Sequence, residues 1–76
     1  MESSILIEFG QRIKTLRKAR KLTQKQLAVI TGFHYNYIGM VERGERDLRM
    51  TNIESFARAF DMSLSELFIF EVQDEN

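Results

Sequence analysis

TQKQLAVITGFHYNYIGMVERG, residues 23–44, is the stretch on which the reading of this chain turns. Its pattern predicts two short helices joined by a tight turn. Leu27 and Ala28 fall midway along the first, Gly32 marks the turn, and Phe33 follows it as an apolar plug. Ile38 and Val41 are three apart on the second helix and so share one face. Tyr35, Asn36, Tyr37 and Met40 are left near the opposite face, pointing away from the core. A helix with a buried apolar seam and a polar, aromatic outer side is what reading a DNA groove requires.

Working outward, helical periodicity accounts for nearly all of the remaining chain. Ile5, Phe9, Ile13 and Leu16 step by four, four and three, an amphipathic stripe predicted to end near Arg20 or Lys21. Thr23 with Gln26 predicts a capping box at the start of the second helix, and Gly32 its stop after Thr31. The third helix begins after His34 and ends before Gly44. A fourth carries Ile53, Phe56, Ala57 and Phe60; it starts either at a Thr51–Glu54 capping box or nearer Met50. Ser63 and Glu66 cap a fifth helix that is expected to bury Leu64, Leu67 and Phe68. No segment alternates with period two, so the expectation is all-α, five helices, one domain over residues 1–72, with a frayed tail over 73–76.

Composition narrows the function. There is no Cys and only one His among 76 residues, so neither a disulfide nor a tetrahedral zinc site can be built, and no cofactor or metal is expected. The longest apolar run, Leu67 to Phe70, is too short to cross a bilayer, and no secretory signal opens the chain. A cytoplasmic protein with no membrane partner is expected. An enzyme is not expected, because no nucleophile is positioned near a base and no Gly-rich phosphate loop is present; no small-molecule substrate is implied. The formal net charge is zero, yet residues 1–49 carry +5 and residues 50–76 carry −5. A phosphate-binding face needs local positive potential rather than a basic average.

These pieces, in this order and spacing, resemble the Xre/Cro/C1-type helix-turn-helix domain of small bacterial and phage repressors. The likeness runs through Arg12-Ile13, Leu16-Arg17, Leu22-Thr23-Gln24, Leu27-Ala28, Gly32-Phe33, Tyr37-Ile38 and Glu42-Arg43-Gly44, and closes with residues 56–60 and 64–68. Tyr37-Ile38 and the run from Glu42 to Leu48 are similar to restriction–modification controller proteins. The chain departs from the family pattern at Gly39, where Ser is frequent, and at Asp47, where Asn is frequent. The resemblance implies a five-helix, lambda-repressor-like fold with the helix-turn-helix at helices 2 and 3. It also implies that Gln24 binds a phosphate and braces the reading helix, that Arg43 and Arg46 grip the DNA backbone beside the groove, and that Arg17 and Glu42 form a partly buried salt bridge.

For double-stranded DNA, affinity comes largely from phosphates and specificity from base edges. Tyr35, Asn36 and Tyr37 are the candidate base readers, since they fall at the N-terminal end of helix 3. An Asn amide can pair with adenine N6 and N7, and a Tyr ring can pack on a thymine methyl. Tyr35 stands three before Ile38 and is expected to lean inward, leaving Tyr37 as the better outward candidate. Met40, one turn on, could touch a base methyl, and Arg46 could reach guanine O6 and N7. Gln24, Arg43, Arg49 and His34 are the phosphate-binding candidates.

Helix 5 carries more apolar residues than one face can bury. Met62, Phe68, Ile69 and Phe70, with Val72 beside them, therefore point to a two-fold homodimer. Such a dimer would set two reading helices about 34 Å apart on a palindrome. Acidic residues such as Glu45 or Glu54 could serve a contact with RNA polymerase, and so could none. The leading expectation is a homodimeric transcription regulator, in its narrowest form an autoregulatory controller of a restriction–modification operon; the alternative is an antitoxin or protein–protein adaptor on the same helical domain.

Overall fold

Five helices in the order α1 (Ser4–Ala19), α2 (Gln24–Thr31), α3 (Tyr35–Glu42), α4 (Met50–Ala59) and α5 (Leu64–Leu67) make up the computed structural model, which describes residues 4–71. No strand occurs among the described residues. The tail over 73–76 and Val72 lie outside them. Packing runs α1 on α3, α3 on α2, α2 on α4 and α4 on α5.

Local chemistry explains each boundary. Thr23 Oγ1 accepts the Gln26 amide at 3.0 Å while Gln26 Oε1 accepts the Thr23 amide at 2.8 Å, a complete capping box. Gly32 stops α2 in the left-handed conformation at φ 82°, a position an L side chain rarely adopts. α1 and α4 end alike without glycine. Lys21 and Asp61 take φ 58° and 55°, and the next amides, Leu22 and Met62, reach back to the carbonyls of Arg17 and Ala57. This is the Schellman arrangement, closed by the partly buried side chains of Leu22 and Met62 on the core. α4 begins at Met50 behind Arg49, which gives no side-chain cap; Thr51 and Glu54 form no capping box, and Glu54 turns instead to Arg58 at 3.5 Å.

The second predicted box does form. Glu66 Oε1 accepts the Ser63 amide at 2.9 Å and Ser63 Oγ accepts the Glu66 amide at 3.1 Å. The bond from the Ser63 backbone, then that from its hydroxyl, holds the Glu66 carboxyl below its ordinary value. A carboxylate lowered on folding contributes above its unfolded value, and that contribution is lost as pH falls through the folded one. Wild type is therefore expected to exceed Glu66→Gln in stability at neutral pH, with the gap closing below the usual carboxylate range; acid titration of both melting points checks this. The Gln26 box carries no such dependence.

The core gathers Phe9, Ile13 and Leu16 from α1, Leu27 and Ala28 from α2, Ile38 and Val41 from α3, Phe56, Ala57 and Phe60 from α4 and its end, and Leu67 from α5. Phe56 is its centre, fully buried with the Phe9 ring edge-on at 6.3 Å and the Phe33 ring at 5.5 Å. Ile5, the first residue of the predicted stripe, stays exposed. α5 also departs from expectation. It is a single turn that fully buries Leu67 alone; Leu64 is exposed, and Phe68 lays its ring 5.5 Å from that of Phe9 while keeping 38% of its surface exposed. The chain then doubles back, so that the Phe70 ring lies 6.3 Å from Phe9 and is partly buried, as is Met62.

Candidate nucleic-acid interface

The three arginines nearest the start of the chain are spent inside the fold. Arg12 donates to the carbonyls of Leu67 and Glu66 at 3.1 and 2.8 Å, closing the end of α5. Arg20 donates to Phe60 O at 2.9 Å with its guanidinium over the Phe60 ring. Arg17 grips Glu42 with two bonds, Nε to Oε2 at 2.6 Å and Nη2 to Oε1 at 3.0 Å, and adds Leu22 O through Nη1 at 2.7 Å. Much of the basic character of α1 is thus structural. Sequence reasoning missed Arg12 and Arg20, because neither has a signal tying it to a carbonyl tens of residues away.

Glu42 links this buried pair to the surface. Gln24 Nε2, at the first residue of α2, donates to Glu42 Oε1 at 3.1 Å. The amide therefore sits over the carboxylate, half-buried, at the junction of α2 and α3. Beside it a cleft of about 340 Å³ opens, lined by Gln24, Tyr35, Asn36, Gly39, Met40 and Arg43. Several of the proposed DNA contacts therefore line one concavity.

α3 is launched by a cap that sequence did not reveal. His34 Nδ1 accepts the Asn36 amide at 3.1 Å. The ring proton of the neutral form then sits on Nε2. His34 stacks on Tyr35 at 4.7 Å, and the Lys25 ammonium lies 5.2 Å from the Tyr35 ring. This clamps Tyr35 against α2 with 43% of its surface still exposed. Asn36 is exposed at the same end.

The two tyrosines are the reverse of what was expected. Tyr37 is half-buried, its ring 4.9 Å from Phe33, and its hydroxyl accepts Asn52 Nδ2 at 3.0 Å. The reason is helical spacing: Tyr37 precedes Val41 by four and shares its inward stripe. Tyr35 belongs to the first turn and leans over α2 instead. Asn52 is a supporting residue that sequence reasoning missed. Arg46 is exposed, with its guanidinium 5.8 Å from the Tyr37 ring. Met40 is half-buried in the cleft wall.

Arg43, just after α3, pairs with Glu45 through Nε at 3.0 Å. That hydrogen bond, and then the Glu45 charge, raise its pKa above the ordinary guanidinium value. Arg49 is exposed at the N-cap of α4. No group of three or more His, Asp or Glu able to hold a metal occurs among the described residues.

Apolar side chains are also exposed away from this cleft. Ile69 is 67% exposed, and Ile5, Leu64 and Phe68 are exposed large apolar side chains as well. Ile5 and Phe68 line one apolar groove with Leu48 and Ile53. Of the four expected interface residues, Ile69 faces outward and Phe68 is exposed in part, with its ring packed on Phe9. Met62 and Phe70 pack on the core, because the Schellman turn and the returning chain draw them in.

Residues 13–67 match the helix-turn-helix family. The control protein C.SmaI of Serratia marcescens is 37% identical over 58 residues, which are 76% of this chain and 69% of that protein. Among solved structures, the restriction-modification controller protein C.AhdI from Aeromonas hydrophila aligns with a TM-score of 0.83 at 42% identity, over 87% of this chain and 100% of that one. The restriction-modification controller protein C.Esp1396I, solved as a tetramer in complex with its natural 35 base-pair operator, aligns with a TM-score of 0.82 at 28% identity, over 88% of each chain.

Proposed function

The chain belongs to the helix-turn-helix family, and from that premise we propose that it is a sequence-specific DNA-binding transcription regulator, acting as a homodimer on a palindromic operator and controlling a restriction–modification operon. The observation that carries the reading is the cleft at the α2–α3 junction. It brings Gln24, Asn36 and Arg43 together on one face, where the Gln24–Glu42 hydrogen bond ties α2 to α3 and the buried Arg17–Glu42 pair ties α3 to α1. Asn36 and Tyr35 serve the base edges, with Met40 beside them. Gln24, Arg43, Arg49 and the Nε2 side of His34 serve phosphates, and Arg46, laid over Tyr37, reaches whichever lies nearer. Tyr37 acts chiefly by holding Arg46 and Asn52 in place.

The controller role is supported by the relatives of that description, one of which was solved on its operator. The homodimer draws on the apolar groove that holds the exposed Ile5 and Phe68 with Leu48 and Ile53, and on the exposed Ile69. Any contact with RNA polymerase would fall to acidic side chains such as Glu45 or Glu54, which face solvent paired with Arg43 and Arg58. No helix of the described residues is long and apolar enough to cross a membrane; the proposed site of action is the cytoplasm.

One experiment tests the reading. Duplexes selected from a random pool should be retarded in a gel shift, and affinity should fall steeply between low and moderate salt as counterions are released. Asn36→Ala should cost on the order of tenfold on the selected site and relax its preference at one base position. Sedimentation at micromolar concentration should show a dimer. Binding insensitive to salt, or a selection that recovers no common sequence, would favour the adaptor reading.

A further inference from the structure

We propose that Gly39 is a positioning residue for DNA binding: its missing side chain lets the Arg43 guanidinium lie back beside the Gln24 amide, so that the two converge on one phosphate. The inference rests on the DNA-binding reading above and specifies how that interface is arranged.

The four glycines separate into two kinds. A Cβ at Gly10 or Gly44 would strike backbone atoms of another segment at 3.0 Å or less, and Gly32 and Gly44 take positive φ. The fold itself demands glycine there. Gly39 is different. It sits inside α3 with helical backbone, where glycine is less favourable than alanine. The three atoms nearest to a Cβ built on it, outside its own helix backbone, all belong to side chains. The Cβ would meet Arg43 Nη1 at 3.1 Å and the two terminal atoms of the Gln24 amide at 3.7 Å, all ends of flexible side chains. The fold therefore does not need Gly39, while the arrangement of these two side chains does.

That arrangement suits an anion. Arg43 is held by Glu45 through Nε, which leaves the Nη end turned toward the cleft, and Gln24 is braced by Glu42 from behind. A guanidinium and an amide converging from two helices can grip a phosphate oxygen from both sides. A methyl group at position 39 would fill the floor between them and force the guanidinium away from the amide.

Stability and binding should consequently move in opposite directions in Gly39→Ala. The melting temperature should rise by about 4–8 °C, the shift that the helix-propensity gain gives in a domain of this size. Affinity for a mixed-sequence DNA duplex should fall on the order of tenfold, and the slope of log affinity against log salt should become shallower by about one phosphate contact. Arg43→Ala should give a similar loss. The double variant Gly39→Ala/Arg43→Ala should bind no more weakly than either single one, since both act through one group. A Gly39→Ala protein that melts below wild type would overturn the inference, as would unchanged affinity or strictly additive losses in the double variant. Wild-type protein that shows no salt-dependent binding to the duplex would overturn the DNA-binding reading itself, and this inference with it.

Discussion

Replacing Arg17 with alanine is expected to leave the domain unfolded rather than folded and weak in DNA binding. Arg17 and Glu42 are 8% and 5% exposed, and the bidentate contact between them is the one buried ion pair among the described residues. The substitution removes both bonds to Glu42 and the bond to Leu22 O, and strands a carboxylate that only the Gln24 amide would then satisfy. Breaking one side of such a pair costs about 3–5 kcal/mol. The core of a chain this short contributes a net stability of about 3–5 kcal/mol, so the loss is comparable to the whole. Circular dichroism should show no cooperative thermal transition. Arg58→Ala, which removes an exposed pair with Glu54, should melt close to wild type. A folded Arg17→Ala protein with ordinary melting would refute the role given to this pair.

Gly10→Ala is expected to be nearly as damaging for a purely steric reason. A Cβ there would lie 2.7 Å from the Glu42 carbonyl oxygen and closer still to that of Val41. Both obstacles are backbone at the C-terminal end of α3, and neither can rotate away. α1 and α3 would have to separate, opening the core at Phe9, Ile13, Ile38 and Val41. Overpacking costs about 1–3 kcal/mol where side chains can repack and more where they cannot. Here the upper end applies, so the melting temperature should fall by well over 10 °C at the scaling of about 4–8 °C per kcal/mol for this chain length. Gly39→Ala serves as the internal contrast, since the same methyl group in the adjacent helix meets only mobile atoms. A Gly10→Ala protein that melts with wild type would show that the two helices are free to part.

What could be read in advance follows the range over which each interaction acts. The capping boxes at Thr23–Gln26 and Ser63–Glu66 lie within one turn, so the pattern and the structure agree. Thr51–Glu54 has the same pattern without the structure, because α4 already starts one residue earlier and Glu54 has Arg58 within reach. The Ile38–Val41 seam was legible, and so was the turn at Gly32. The placement of the tyrosines is carried by the spacing of four between Tyr37 and Val41, which outweighs the spacing of three between Tyr35 and Ile38 at the start of the helix. The His34 cap lay beyond the usual oxygen-bearing caps. At α5, helical spacing does not reach past a helix that ends at Leu67, and so it does not place Leu64 outside or Phe70 against the core. The cleft at Gly39 depends on two helices meeting, and no local pattern encodes that.

The arginines of the first helical segment close onto partners made much later: Glu42 is 25 residues on, Phe60 is 40, and the carbonyls at the end of α5 are 54 and 55. A nascent chain leaving the ribosome thus carries three cations whose partners have yet to be synthesised. Its first helix can pack on α3 once residue 42 is made, but the carbonyls that Arg12 closes onto arrive only with α5. A product truncated before α5 therefore loses the buried Leu67 and both carbonyl partners of Arg12, and is expected to offer proteases an open substrate instead of a partly active regulator.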